Sequence, residues 1–515
     1  MELLRSPGFS AYTKRLMDKH HVPGLAIAIV HGDEIESAGF GQASLSPPLE
    51  CNADTLFDIG SVAKSLTAAS VALLVADDER YPQVQYETVM SSLLPDDFVM
   101  PGDDHSDVTV EDILSHRTGM AGHDHSYLGQ NATQPDDARS VTRNLRNLPV
   151  AAPNRDKFIY CNMMYTVATY LVERISGLPF PSFLDQYLLQ PLSMDSTTLQ
   201  PHRARAKGMG NRIATGYAWD KDAGDYRAIQ CYDRPEAQGA GCIISSVNDY
   251  IKWPKAMMNR EGPITGDVYN GLMKKRISQD PPEDEHQDPH SPHAFYAAGW
   301  QLRHYCGYLV AWHEGSDEGF RSNHFFLPEL KFGGVIFSNS DGASEAVEIL
   351  TEDLIDGVMQ NPIFKSLLGM NMEPHTGSVS DDDDDDDDDS DDGDDEELEE
   401  LRQELCPGIE GSQPQEMFLN LYTGRYWNPG YRGIEVEDKQ GKLFVDATDR
   451  GMGFTLTFEH VGEQTKYIAY MRPKFEAGNI PIKAEFELQN EKAVKLGLQL
   501  EEELDEYIWF DRVHE

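Results

Sequence analysis

The sequence predicts an α+β domain followed by a small antiparallel β-barrel domain. Apolar, β-rich runs lie near both ends of residues 1–360, and stretches of helical periodicity lie between them. Strands at both ends with helices between them indicate a sheet that is completed by the two ends of the domain. After residue 416, short alternating strands are divided by Gly, Asn, Asp and Pro, which is typical of a small antiparallel β-barrel or sandwich.

Individual elements of the first domain, residues 1–362, are readable from local patterns. Residues 24–41, "GLAIAIVHGDEIESAGFG", predict a hairpin around a His-Gly-Asp turn, and residues 331–340 predict a further strand. The apolar spacing of residues 162–176 fits a helix with one buried face. Four prolines among residues 278–293 predict a long surface loop.

The two domains are separated by an acidic segment, residues 363–415, which precedes the barrel domain at residues 416–515. Its aspartate run cannot bury apolar surface and repels itself, so we expect an extended, disordered linker. A solvated spacer is favoured over a binding tail for a basic partner. Leu398, Leu401 and Leu405 recur at helical spacing and predict a short helix that closes the linker.

Composition restricts the partners of the chain. The net charge is −45, and 17 of the 20 residues in 381–400 are acidic, but the remainder of the chain is also acidic. A field of this sign repels nucleic acid and anionic membrane, so we expect neither as a partner. The sequence indicates no oligomeric state.

The location predicted from the sequence is cytoplasmic. The N-terminal residues lack an apolar signal core, and no apolar run is long enough to span a bilayer. The six cysteines are scattered without a C-x-x-C pair, which indicates reduced thiols.

Residues 58–69, "DIGSVAKSLTAA", contain the first candidate for chemistry. Ser61 and Lys64 lie at i and i+3, so a helix starting near Gly60 makes them neighbours. The following run is apolar nearly all round and predicts a buried helix, in which a lysine loses hydration and its amine can accept a proton. An oxyanion formed at Ser61 would also be stabilised by the amides at the helix start. The pattern therefore indicates acyl transfer through a serine ester.

Two further elements are needed, because about one or two S-x-x-K matches are expected by chance in a chain of this length. Tyr160 precedes a predicted helix and could relay a proton, while Asn162 could hydrogen-bond Lys64 and a substrate carbonyl. His313-Glu314-Gly315 ends a strand-like run. Gly315 would let a substrate backbone lie close to the strand, and the amide of Ser316 could be the second oxyanion donor beside that of Ser61.

These three elements occur in the order and approximate spacing of the serine β-lactamase and penicillin-binding-protein superfamily, which the chain resembles over residues 10 to about 355. The tyrosine in the second element is similar to the class C branch, with its esterases, D-aminopeptidases and acyltransferases. The resemblance implies a β-lactamase/transpeptidase-like fold, an antiparallel sheet flanked by helices plus a helical subdomain. Supporting stretches are "HHVPGLAIAIV" (20–30), "VTVEDILSHRTGM" (108–120), "PLSMDST" (191–197), "ATGYAW" (214–219), "GAGCIISSVNDYIKW" (239–253) and "AAGWQL" (297–302).

The predicted function is a serine hydrolase that cleaves an ester or amide of a small molecule or peptide through a Ser61 acyl-enzyme. Lys64 and Tyr160 are the predicted base and acid relay, and Asn162, His313, Gly315 and Ser316 are predicted to contact substrate. An acyltransferase of the same fold and a non-catalytic scaffold remain as alternatives. The third element of antibiotic-degrading members usually begins with lysine, whereas His313 is mostly neutral near pH 7, so we expect neither penicillin hydrolysis nor cell-wall crosslinking.

Other patterns are weaker. Ser246 with Asn248 fits S-x-N and Tyr426 with Asn428 fits Y-x-N, but their contexts predict a helix cap and a barrel strand. No metal and no cofactor are predicted, because the histidines near residues 116–125 lack further ligands at metal-site spacing. Cys161 is interpreted as a small helix-packing residue.

Overall fold

The computed structural model describes the chain in six stretches, residues 3–221, 223–279, 293–359, 398–409, 411–475 and 478–513. The chain divides into two units, of which the first contains Met1–Gly122 and Pro135–Met370. The second contains His123–Gln134 and Asn371–Glu515. The predicted acidic linker up to residue 397, and the predicted loop between 280 and 292, lie outside the described residues.

The first unit is built on antiparallel strands. They are β1 (Gly24–His31), β2 (Glu34–Leu45), β3 (Pro48–Glu50), β4 (Phe57–Asp58), β5 (Thr198–Leu199), β6 (Gly216–Asp220), β7 (Asp225–Ile229), β8 (Ile243–Ser245), β9 (Ile277–Ser278), β10 (Phe295–Tyr296), β11 (Gln301–Tyr305), β12 (Tyr308–Asp317), β13 (Phe320–Leu327) and β14 (Phe332–Ser338).

The helices of this unit surround the strands. They are α1 (Pro7–Lys19), α2 (Lys64–Ala76), α3 (Met90–Leu93), α4 (Val110–Leu114), α5 (Ala138–Asn144), α6 (Met163–Ser176), α7 (Phe180–Leu184), α8 (Pro201–Ala206), α9 (Val247–Tyr250), α10 (Lys252–Asn259), α11 (Gly266–Met273) and α12 (Ser344–Met359).

The main sheet is completed by the two ends of the unit, as the sequence predicts. Its order is β3-β2-β1-β14-β13-β12-β11-β10-β9, so the first strand pairs with the last, with Leu25 opposite Ser338. The predicted hairpin is present as β1 and β2, and the predicted helix over residues 162–176 is present as α6. Strand β1 is apolar on both faces because both faces are covered.

The two faces of the sheet have different roles. On one face, Leu25, Ile27 and Ile29 of β1 pack with Phe9 of α1 and Leu350 of α12 in a continuous apolar core. Because side chains alternate along a strand, the odd-numbered residues of β12 from Ala311 to Asp317 point to the opposite face. Helices α9 and α10 contact the sheet on its other side, through β1, β13 and β14. The first face stabilises the sheet, and the second carries the candidate site.

The second unit contains the predicted barrel. Its eight described strands close on themselves, with Trp427 of the first strand opposite Asp511 of the last. They are β15 (Gly424–Asn428), β16 (Arg432–Lys439), β17 (Lys442–Ala447), β18 (Phe454–Gly462), β19 (Lys466–Pro473), β20 (Ile480–Gln489), β21 (Lys492–Leu498) and β22 (Ile508–Arg512).

A short helix covers part of the barrel. Residues 398–405 are helical, and Leu398, Leu401 and Leu405 pack with Val461 and Ile468. The spacing of the three leucines therefore predicts this helix correctly, and its apolar side is buried against the barrel.

The second unit also includes a segment that the sequence analysis assigned to the first domain. Residues His123–Gln134 lie in this unit, where the amide of Gly129 donates to the carbonyl of Asp449 at 2.9 Å. A buried polar cluster fixes the start of the segment. Glu501 accepts from the His123 amide at 2.8 Å and from the Tyr431 hydroxyl at 2.6 Å, and that hydroxyl lies 2.7 Å from His123 Nδ1.

No helix among the described residues is long and apolar enough to cross a membrane.

Tyr431→Phe tests whether this cluster stabilises the second unit. The change removes the hydroxyl that Glu501 and His123 share, and leaves a buried carboxyl with one partner fewer. We expect the free energy of unfolding to fall by about 1–3 kcal/mol, measured by urea unfolding of the full chain. Tyr507→Phe is the control, since the Tyr507 hydroxyl makes no hydrogen bond within the described structure. Equal unfolding midpoints for the two variants would contradict this role.

Candidate active site

The candidate site is centred on the turn that carries Ser61. Residues Gly60–Ala63 form one turn of 3₁₀ helix that continues directly into α2. Gly60 has φ +49°, a left-handed conformation that favours glycine, and its amide donates to Asp58 Oδ1 at 3.0 Å. Ser61 is half-buried, whereas Val62 through Ser70 are buried. The turn therefore holds Ser61 at the accessible end of an otherwise buried helix.

Lys64 is the buried neighbour of Ser61 that the spacing predicts. Its side chain is fully buried, and Nζ lies 2.8 Å from Ser61 Oγ and 2.8 Å from the carbonyl oxygen of Ala240. A carbonyl oxygen only accepts hydrogen bonds, so Nζ donates one to the Ala240 carbonyl. The other hydrogen-bonding positions of Nζ are left for its other neighbours, such as Ser61. At 2.8 Å, Nζ is within range to exchange a proton with the Ser61 hydroxyl.

Tyr160 also lies next to Lys64. The Lys64 Nζ atom is 4.8 Å from the centre of the Tyr160 ring, and Asn162 is the N-cap residue of α6 two positions later. Both residues are half-buried. The structure therefore brings Ser61, Lys64 and Tyr160 together, with Asn162 at the adjacent helix start.

His116 fixes the backbone on both sides of Tyr160. Its carbonyl accepts from the Ile159 amide at 2.8 Å, and its Nδ1 accepts from the Cys161 amide at 3.0 Å. Its ring lies against that of Tyr160, with 4.2 Å between centroids. Burial is the main cause that lowers the pKa of His116 well below the ordinary value. The imidazole is therefore neutral near pH 7 and acts as an acceptor for the Cys161 amide.

Strand β12 approaches the Ser61 turn through a residue without a side chain. A Cβ atom added to Gly315 would lie 2.3 Å from the carbonyl oxygen of Ile59 and 2.2 Å from Ser322 Oγ. A Cβ on Gly60 would likewise lie 2.9 Å from the amide nitrogen of Ser316. Only glycine at both positions permits this contact, which brings the Ser316 amide next to the residue that precedes Ser61. Two amides so arranged can stabilise one oxyanion.

The edge of β12 beyond this contact is open. Strand β11 pairs with β12 only as far as Trp312, whereas β13 pairs with β12 through Asp317. Within the described residues, positions 313–317 therefore have a strand partner on one side alone. An extended substrate backbone can hydrogen-bond to such an edge.

His313 is predicted to contact substrate, but its side chain is buried in the structure. Its Nδ1 lies 2.6 Å from the carbonyl oxygen of Glu314 and its Nε2 lies 2.9 Å from the Tyr296 hydroxyl. Because the carbonyl can only accept, Nδ1 carries the hydrogen and Nε2 accepts from Tyr296. Burial, assisted by the charge of Lys64, lowers the pKa of His313 to about 3. Both ring nitrogens are engaged within the protein, and contact of His313 with substrate stays a prediction.

The weaker patterns lie elsewhere in the fold. Ser246 occupies the N-cap position of α9, although its hydroxyl makes no capping bond, and Tyr426 lies in β15 of the barrel. His116 belongs to the first unit, whereas His123 and His125 belong to the second. No group of three or more His, Cys, Asp or Glu side chains in the described part of the chain is placed to bind a metal.

A buried ionic cluster near the Ser61 turn was not predicted from the sequence. The Arg234 guanidinium contacts Asp317 directly and lies 3.6 Å from Asp58. Asp58 lies three residues before Ser61 and Asp317 directly follows Ser316, but Arg234 is distant from both in sequence. No local signal connects the three, and only the proximity of Asp58 and Asp317 to their motifs could have drawn attention to the two acids.

Comparison with known proteins agrees with this geometry. Residues 9–356 match the family profile described as Beta-lactamase, and residues 410–512 match one described as a domain of unknown function (DUF3471). The first match covers most of the chain, and its bounds enclose the Ser61, Tyr160 and His313 elements. The chain belongs to the beta-lactamase family, and it is a serine hydrolase of that fold.

Among its relatives, the chain is similar to two fungal proteins named as hydrolases. It is 31% identical to unguisins hydrolase ungD' of Aspergillus campestris over 88% of this chain and 82% of the relative. It is 34% identical to unguisins hydrolase ungD of Aspergillus violaceofuscus over 85% of this chain and 78% of the relative.

Solved structures share the fold. The octameric penicillin-binding protein homologue from Pyrococcus abyssi aligns with a TM-score of 0.57 at 19% identity, over 97% of this chain and 98% of that chain. A class C beta lactamase from Rhodobacter sphaeroides aligns with a TM-score of 0.52 at 18% identity, over 69% of this chain and 100% of that chain. The predicted membership of the β-lactamase and penicillin-binding-protein superfamily and the predicted β-lactamase/transpeptidase fold are confirmed.

Gly315→Ala tests the close approach of β12 to the Ser61 turn. The added methyl group collides with the Ile59 carbonyl and must displace the Ser316 amide. We expect kcat/KM for nitrophenyl acetate to fall by about 10²–10³-fold, the usual effect of losing one oxyanion donor. The matched control is Gly266→Ala, because a Cβ at Gly266 meets no atom within 4 Å. Unchanged kcat/KM in a folded Gly315→Ala variant would show that the strand contact does not support catalysis.

Proposed function

We propose that the protein hydrolyses an ester or amide of a small molecule or peptide through an acyl-enzyme on Ser61. The observation that carries the proposal is the 2.8 Å distance between Ser61 Oγ and a fully buried Lys64 Nζ. A lysine without hydration is suited to accept a proton, and the serine beside it is the accessible nucleophile.

The reaction begins with attack of Ser61 Oγ on the substrate carbonyl carbon. The hydroxyl proton passes to Lys64, and Tyr160 relays it to the departing alcohol or amine. The amides of Ser61 and Ser316 stabilise the tetrahedral oxyanion. Water then attacks the acyl-enzyme and gives up a proton to the same relay. As the ester bond to Ser61 Oγ breaks, the relay delivers this proton to Oγ, the acid is released and the site returns to its starting state.

A peptide or peptide-like amide is the substrate class that we favour. The edge of β12 at residues 313–317 can pair with an extended main chain, and Asn162 lies at the start of α6. Both fungal relatives are named as hydrolases of unguisins, so unguisins are the first natural substrates to assay. We further propose a cytoplasmic location, in keeping with the scattered cysteines.

The proposed roles of Ser61 and Tyr160 are separable by mutation. We expect Ser61→Ala to abolish both fluorophosphonate labelling and ester turnover, because the nucleophile is lost. Tyr160→Phe should remain folded and label slowly, with kcat reduced by about a hundred- to ten-thousand-fold. Turnover of a nitrophenyl ester and gel-based labelling measure the two effects. Full activity in Ser61→Ala would contradict the mechanism and favour a scaffold role.

Substrate charge should distinguish this enzyme from antibiotic-degrading relatives. The imidazole of His313 stays neutral above about pH 4, because burial lowers its pKa to about 3, so this position brings no positive charge to a substrate carboxylate. Desolvating an unpaired carboxylate in a cleft is costly. We expect uncharged nitrophenyl acetate or butyrate to be hydrolysed with a higher kcat/KM at pH 7 than a chromogenic cephalosporin. The reverse preference would overturn the substrate assignment without affecting the nucleophile.

A further inference from the structure

The buried ionic cluster of Asp58, Arg234 and Asp317 connects the two parts of the site that must stay in register. The exposed fractions of the three side chains are 4%, 12% and 9%. Asp58 Oδ1 accepts from the amide of Gly60, directly before Ser61. Asp317 directly follows Ser316 on β12 and points to the same face as Gly315. Asp317 is therefore one residue, and Asp58 three residues, from an amide of the proposed oxyanion hole.

Arg234 is the only one of the three that lies outside these two elements, and its own backbone is firmly held. Gln200 accepts from the Arg234 amide at 2.8 Å and donates to the Arg234 carbonyl at 2.9 Å. The guanidinium carbon lies 5.3 Å from the centre of the Tyr232 ring. A planar cation fixed in this way can contact two carboxyl groups at once, which a flexible ammonium cannot do equally well.

Without Arg234, two buried acids would face each other. Burial and the nearby charge of Asp317 raise the pKa of Asp58, and Arg234 opposes this effect. An uncompensated buried charge is unfavourable, so loss of the guanidinium would push the two carboxyl groups apart or require them to take up a proton. Separation of the two carboxyl groups would move the Ser61 turn relative to β12, and misplacement of a catalytic group by about 1 Å can cost about 10²-fold in rate.

We infer that Arg234 is a positioning residue, which holds the Ser61 turn and strand β12 in register by bridging Asp58 and Asp317. The inference rests on the proposed function, because it assigns Arg234 a role in aligning the Ser61 and Ser316 amides. It predicts a loss in kcat with little change in KM, since the oxyanion exists in the transition state and not in the bound substrate.

The test compares Arg234→Met with Arg234→Lys in the full chain. We expect Arg234→Met to lower kcat for nitrophenyl butyrate by about 10–100-fold with KM within about twofold. Its inhibition constant for a phenylboronic acid, which mimics the tetrahedral oxyanion, should rise in parallel. Arg234→Lys should recover part of kcat and part of the affinity for the boronic acid. It restores the positive charge but not the planar guanidinium that can contact two carboxyl groups at once. Asp58→Asn, which retains an acceptor for the Gly60 amide, should lose less kcat than Asp58→Ala.

Arg303→Met controls for loss of a partly buried arginine. Arg303 pairs with Glu352 of α12 at 3.8 Å, on the face of the sheet opposite to Gly315. The Arg303→Met substitution should lower Tm without a matching loss of kcat. Wild-type kcat in Arg234→Met, or equal kcat losses in Arg234→Met and Arg303→Met at equal folded fraction, would overturn the positioning role.

Ser61→Ala separates the positioning role of Arg234 from the proposed function. If Ser61→Ala still turns over ester, the proposed function fails. If Ser61→Ala is inactive while Arg234→Met has normal kcat, only the positioning role fails.

Discussion

The site depends on the close contact of two backbones. Strand β12 meets the turn before Ser61 at Gly315 and Gly60, where a side chain on either residue would overlap the other element. Ser322 on the neighbouring strand donates to the Ile59 carbonyl at 2.8 Å and secures the same contact. The proposed mechanism requires the Ser316 amide to lie close to Ser61, and this contact places it there. An amide on a separate strand can come this close only if no side chain lies between the two backbones.

The surroundings of the site are organised to keep charge low. Lys64 is buried among aromatic rings, and the imidazoles of His116 and His313 are held neutral chiefly by burial. These rings therefore orient Tyr160 and shield Lys64 without adding a competing cation. A buried amine in an environment of this kind differs from a surface lysine, whose hydration and mobility would favour the ammonium form.

Local patterns predicted what depends on local geometry. The Ser61–Lys64 distance follows from i and i+3 spacing, α6 from its apolar face, and the hairpin at residues 24–41 from its turn. Long-range features had no such signal. The engagement of His313 with Tyr296, the bridge from Arg234 to two distant acids, and the inclusion of residues 123–134 in the second unit all depend on how separate segments meet. The sequence indicated a barrel or a sandwich, and only the pairing of β15 with β22 distinguishes the two.

The proposed reaction passes through a covalent intermediate on one particular serine. Its most direct measurement is mass spectrometry of protein acid-quenched during turnover of nitrophenyl butyrate, followed by tryptic mapping. We expect the protein to gain the mass of one butyryl group, located at Ser61 in the peptide that ends at Lys64, and the adduct to disappear when substrate is exhausted. Turnover without an adduct on that peptide, or an adduct located on another residue, would rule out Ser61 as the nucleophile.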